Sequence, residues 1–127
     1  MSTVRTLLVC GLILLFACVC GGQDAGVIPW DKAAEHVGET RTVEGPVVDT
    51  KYASTSRGTP TFLNVGKSYP DPARFTVVIW GRNRNKFPEL PEVLYRGRTI
   101  RVTGLISIYR GSPQIEVTEP SAISIVR

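Results

Sequence analysis

Between Val43 and Val117 apolar residues recur at every second position, the spacing of strands that bury one face. In RTVEGPVVD, Val43, Gly45 and Val47 alternate with Thr42, Glu44 and Pro46, and Gly45-Pro46 inside the run predicts a bulge or sharp bend. TFLNV is a short second strand. FTVVIW is a third, with Phe75, Val77 and Ile79 on one face and Thr76, Val78 and Trp80 on the other. RTIRVTGLISIY is the longest run: Ile100, Val102, Ile106 and Ile108 share a face, with Gly104 in its middle slot. QIEV is a fifth strand, Ile115 and Val117 inward and Glu116 outward. The polar loop YASTSRGTP and the turn-rich GKSYPDPAR separate the first three strands. Between the third and fourth, GRNRNKFPELPEVLYRG breaks the period and predicts a helical turn around Glu92 to Tyr95. SAISIV closes the chain as an apolar tail able to pair or pack.

Ahead of the strands, VIPWDKAAEHVGE predicts a short helix. Pro29 suits its first turn, Gly38 stops it, and Trp30, Ala34 and Val37 form its apolar stripe. That helix is expected to plug one end of the sheet. Further upstream, residues 1–22 join Arg5 to an uncharged apolar run from Thr6 to Gly22, the layout of a secretory signal peptide, a lipoprotein signal or a membrane anchor. LFAC, Leu15 to Cys18, resembles a lipobox and makes Cys18 a lipidation candidate. The expectation is an exported, extracytoplasmic protein, with the membrane as a partner if the segment is retained or lipidated. All three cysteines lie in this segment, so residues 23–127 carry neither a disulfide framework nor a cysteine metal site and are expected to form a single domain.

Five strands, a long fourth and an irregular piece before it predict an all-β fold, a five-stranded Greek-key OB-fold barrel with a short N-terminal helix. The pieces TFLNVGK, VTGLISIYRGSPQIEV and PSAI resemble the nucleic-acid-binding OB-fold domains of the anticodon-binding and single-strand-binding type, in particular their small secreted or lipoprotein-like bacterial versions. Gly97, Val102 and Gly104 occupy the glycine-spaced pattern of the fourth strand in such domains. The resemblance implies a non-enzymatic module for single-stranded DNA or RNA.

It also implies where the ligand lies: along the face of the second and third strands, flanked by the loops joining strands one to two and four to five. Cations would track phosphates and rings would stack bases. The residues of the right kind are Lys51, Tyr52 and Arg57 in the first loop, and Phe62 and Asn64 on the second strand. Lys67, Tyr69 and Arg74 follow that strand, Trp80, Arg82, Arg84 and Lys86 lie at and beyond the end of the third, and Tyr109 and Arg110 lie in the last hairpin. A net charge of +4 is compatible with an anionic partner without requiring one, and an exported protein-, glycan- or small-ligand-binding module is the alternative on the same face. No cofactor and no catalytic residue is expected. His36 is the only histidine, zinc spacing is absent, and Asp49, Asp71, Glu116 and Glu119 are scattered along the chain.

Overall fold

A computed structural model describes residues 26–127. The signal, lipidation or anchor expectation for residues 1–22, Cys18 included, lies outside the described residues. Among the described residues seven strands follow in chain order: β1 (Val27–Pro29), β2 (Thr40–Tyr52), β3 (Thr61–Val65), β4 (Phe75–Ile79), β5 (Thr99–Tyr109), β6 (Ser112–Glu116) and β7 (Ile123–Ile125). Two short α-helices, α1 (Gly81–Arg84) and α2 (Pro91–Leu94), fill the connection between β4 and β5. The segments Trp30–His36 and Pro120–Ala122 are 3-10 helices.

The strands form one sheet in the order β1-β2-β3-β4-β6-β5-β7, and β2 makes an additional pairing with β5. This corrects the expectation of an all-β, five-stranded Greek-key barrel. The sheet has seven strands with β1 and β7 at its ends, and the helical pieces make the fold mixed α/β. The two strands missing from the sequence reading have three residues each, too few to display a period of two. They are held by their neighbours: β1 runs parallel to Thr42–Glu44, and β7 runs antiparallel to Ile100–Val102.

β2 serves two neighbours in succession. Its first half, Thr40 to Pro46, pairs with β5, and its second half pairs with β3. Pro46 sits where the strand changes partner, and its carbonyl accepts from Gly66 N at 2.8 Å. The register shift falls between Val47 and Asp49, just beyond the Gly45-Pro46 pair that predicts it, and leaves Val48 exposed.

Strand parity sends Phe75, Val77 and Ile79, then Ile100, Val102 and Ile106, and then Ile115 and Val117 into the core, where Val43, Val47, Leu63 and Val65 meet them. Ile108, read from parity as inward, is instead exposed, although Pro113, with which it pairs, is buried. Phe87 and Tyr95, on either side of α2, close one side of the core with rings edge to face, centroids 6.2 Å apart. Burial raises the Tyr95 phenol above its usual pKa by penalising the phenolate.

The first helical segment covers the core, but not with the predicted stripe. A 3-10 helix has three residues per turn, so Trp30, Ala33 and His36 align; Ala33 is fully buried, whereas Ala34 and Val37 face solvent. The Trp30 ring lies over Gly45 and Gly66. A side chain at Gly66 would come within 2.2 Å of the indole, and its φ of +81° is itself a glycine conformation. Beyond this segment, Glu39 accepts from Arg41 Nη1 at 2.7 Å and meets His36 Nδ1 at 3.1 Å; these contacts, the arginine's first, hold its carboxyl below the usual carboxylate range.

Candidate functional site

The positions of β2, β3, β4 and β6 that point away from the core form one four-stranded face, whose middle residues Asn64, Thr76 and Val78 are themselves buried, and the register arranges it in rows. One row runs Asp49, Asn64, Thr76, Gln114; the next runs Lys51, Phe62, Val78, Glu116. Hydrogen bonds knit the first row on its β2 side. Thr76 Oγ1 donates to Asn64 Oδ1 at 3.2 Å, and Asn64 Nδ2 donates to Asp49 Oδ2 at 3.0 Å. Trp80 continues the outward parity of Val78, and its Nε1 donates to Glu116 Oε1 at 3.0 Å. The indole is part-exposed, as is Phe62 one strand away. Gly58 of the β2–β3 loop packs against the indole: a side chain there would approach Cε3 within 2.9 Å. Gly81 N donates to Gly58 O at 2.9 Å, so this loop is latched to the end of β4.

The face has two rims, because β3 and β4 run antiparallel. One rim carries Arg57 of the latched loop, Trp80, and Arg82 in α1. The other carries Lys67, Tyr69 and Arg74 beside the β5–β6 hairpin of Tyr109 and Arg110. Arg74 joins the two parts of that second rim: its guanidinium lies 5.0 Å from the Tyr69 ring centre, and its Nη1 donates to Ser112 Oγ at 3.4 Å. Ser112 Oγ in turn donates to Pro72 O at 2.9 Å. Tyr69 N reaches Asp49 Oδ2 at 3.3 Å, which brings this rim onto the face. Tyr69 and Tyr109 are both more than half exposed, at 62% and 58%, and Arg110 lies 5.3 Å from the Tyr109 ring centre.

The structure therefore brings together Lys51, Phe62, Asn64 and Trp80 on the face, and Lys67, Tyr69, Tyr109 and Arg110 along one rim. It engages others elsewhere. Arg84 lies 3.6 Å over the Tyr52 ring and donates to Glu92 Oε2 at 2.5 Å, both partners of this ion pair being mostly buried. Lys86 pairs with Glu119 at 2.9 Å. Among the described residues Lys51, Arg57, Lys67 and Arg82 make no ion pair. Asp49 and Glu116 lie far apart in the sequence, and the register puts both on the face. The outward parity of Glu116 was a usable signal; the placement of Asp49 depends on the register shift after Val47 and was not. No group of three or more His, Cys, Asp or Glu able to hold a metal ion lies among the described residues.

No family model matches the chain, and no curated protein matches its sequence. Solved structures match its fold. Asparaginyl-tRNA synthetase from Entamoeba histolytica, in complex with asparaginyl-adenylate, is 20% identical with a TM-score of 0.51, over 79% of this chain and 23% of that one. Aspartyl-tRNA synthetase from the same organism is 15% identical with a TM-score of 0.50, over 72% of this chain and 19% of that one. The chain thus spans about a fifth of the length of these enzymes, and the portions it matches are their non-catalytic OB domains. The chain is an OB-fold domain. The expected kinship with small secreted or lipoprotein-like bacterial proteins is corrected, since these matches are to synthetase domains and support no such relative. The membrane partner is corrected as well: among the described residues no helix is long and apolar enough to cross a membrane.

Proposed function

We propose that this OB-fold domain is a non-catalytic module that holds single-stranded nucleic acid across the face of β2, β3, β4 and β6. One observation carries the reading. Two part-exposed rings, Phe62 and Trp80, stand on a single face, while cations without acidic partners, Lys51, Arg57, Lys67 and Arg82, stand on it and around it. A flexible strand of nucleotides needs that combination: rings on which bases stack whatever their identity, and mobile cations that replace the counterions of the phosphates. Each stacked base contributes about 1–3 kcal/mol, and every base has a π-face, so rings alone give affinity without selectivity. Tyr69 and Tyr109 extend the stacking surface at the far rim. β3, at five residues, is about 17 Å long by the ordinary strand rise, the span of a few nucleotides. Two tRNA synthetases share this fold, which is compatible with the reading.

The test is fluorescence anisotropy of the full chain with labelled single-stranded oligonucleotides, titrated with salt. Affinity should fall on a linear log–log slope as cations exchange for phosphates, and Trp80 emission should change on binding. Absence of binding to every oligonucleotide at low salt would overturn the proposal.

A further inference from the structure

The face proposed for nucleic acid also holds two carboxylates, which a surface devoted to phosphates would exclude. Asp49 stands at the β2 end of one row and Glu116 at the β6 end of the next. Among the described residues neither makes an ion pair, so no cation offsets either carboxyl on the face. Both are held in place by neutral donors. Asp49 Oδ2 accepts from Asn64 Nδ2 and Tyr69 N, and its other oxygen takes part in neither bond. Glu116 accepts Trp80 Nε1 on one oxygen and Gln114 Nε2, at 3.3 Å, on the other. A carboxylate has about four lone-pair sites, so each of these retains acceptor capacity.

We propose that Asp49 and Glu116 make this face select bases that present an amino group, cytosine among them, over thymine and uracil. The inference rests on the reading of the face as a single-strand site. Two physical steps lead to it. The carboxylates repel phosphates, so the backbone keeps to the cations Lys67 and Arg110 at one rim and Arg57 and Arg82 at the other, and the bases turn toward the sheet. A base stacked on the Trp80 indole then has the Glu116 carboxylate beside its edge, because the indole N–H holds that carboxylate at the ring. An ionised carboxylate can only accept. Cytosine offers it the N4 amino group, as adenine offers N6 and guanine N1 and N2. Thymine and uracil offer a single N3–H between two carbonyl oxygens, and those oxygens meet the carboxylate as like charges. Rings alone would not discriminate; the acids beside them do.

The experiment uses the full chain and two labelled probes of about a dozen nucleotides, within the usual site size of an OB-fold. These are oligodeoxycytidine and oligothymidine at one low salt concentration. Oligodeoxycytidine should bind about tenfold tighter. Glu116→Gln keeps an acceptor for Trp80 but loses the charge, so it should shrink that ratio to about twofold, chiefly by raising the affinity for oligothymidine. Asp49→Asn should shrink it by less, with circular dichroism showing that each variant is folded; Glu116 is exposed, so its substitution carries the test if Asp49→Asn misfolds. Equal or tighter binding of oligothymidine by the unaltered chain overturns the inference and leaves the single-strand reading standing. So does an unchanged ratio in Glu116→Gln. If neither probe binds while another oligonucleotide does, the inference falls alone; if no oligonucleotide binds, the single-strand reading fails and the inference falls with it.

Discussion

Two cationic regions of the molecule differ in what the fold does with their charge. GRNRNK, Gly81 to Lys86, is the densest run of positive charge in the chain, with Arg82, Arg84 and Lys86 at alternate positions. The face and the far rim have dispersed cations, Lys51, Lys67 and Arg110 among them. The dense run is largely engaged: α1 points Arg84 across Tyr52 to Glu92, and Lys86 reaches Glu119, which leaves Arg82 as its member without an ion pair. The dispersed cations keep theirs for solvent or a ligand. A charged stretch in a sequence therefore measures how many cations are present, and the acids that tertiary structure brings alongside decide how many remain to bind anything.

The comparison is broken or sharpened first at Arg84. Its pair with Glu92 is mostly buried, so Arg84→Ala strands a carboxylate in a poorly solvated place and should cost about 3 kcal/mol of stability, read as a lower Tm or a lower urea midpoint. Oligonucleotide affinity measured well below that Tm should change little. A large loss of affinity with no loss of stability would show that Arg84 belongs with the binding cations.

Trp80→Ala tests the face itself. It should remove about 2 kcal/mol of oligonucleotide binding through lost stacking, measured by anisotropy. Lys67→Ala should weaken binding of all sequences alike and flatten the log–log salt slope by about 0.7, the contribution of one phosphate contact on a single strand. If Lys86→Ala flattened the slope as much, the distinction between engaged and available cations would fail. The expected effect of Lys86→Ala is the smallest: its pair with Glu119 is exposed, and losing it should cost less than about 1 kcal/mol of stability while the salt slope holds.

The sequence carried the inward parity of β4, β5 and β6 because each apolar residue there repeats over a strand of five or more positions, and the repeat is a local property. The same logic placed Trp80 and Glu116 outward without showing that they touch, since they lie on different strands brought together by the parallel pairing of β4 with β6. Parity also put Ile108 inside, and failed close to the β5–β6 turn, where the residue is exposed. The 3-10 geometry of Trp30–His36 moved the buried position from Ala34 to Ala33, a choice that depends on how tightly the segment must wind to seat Trp30 over Gly45 and Gly66.

By itself the sequence determined which residues alternate, where the chain turns and how much positive charge it carries, because these depend on neighbours within a few positions. Only the tertiary structure decided that seven strands and not five make the sheet, that Asp49 and Glu116 share a face with two rings, and that Arg84 and Lys86 are engaged while Lys51 and Lys67 are not. Strand pairing, ion pairing and stacking are contacts between residues distant in the chain, and their free energy exists only once the fold has brought both partners within reach.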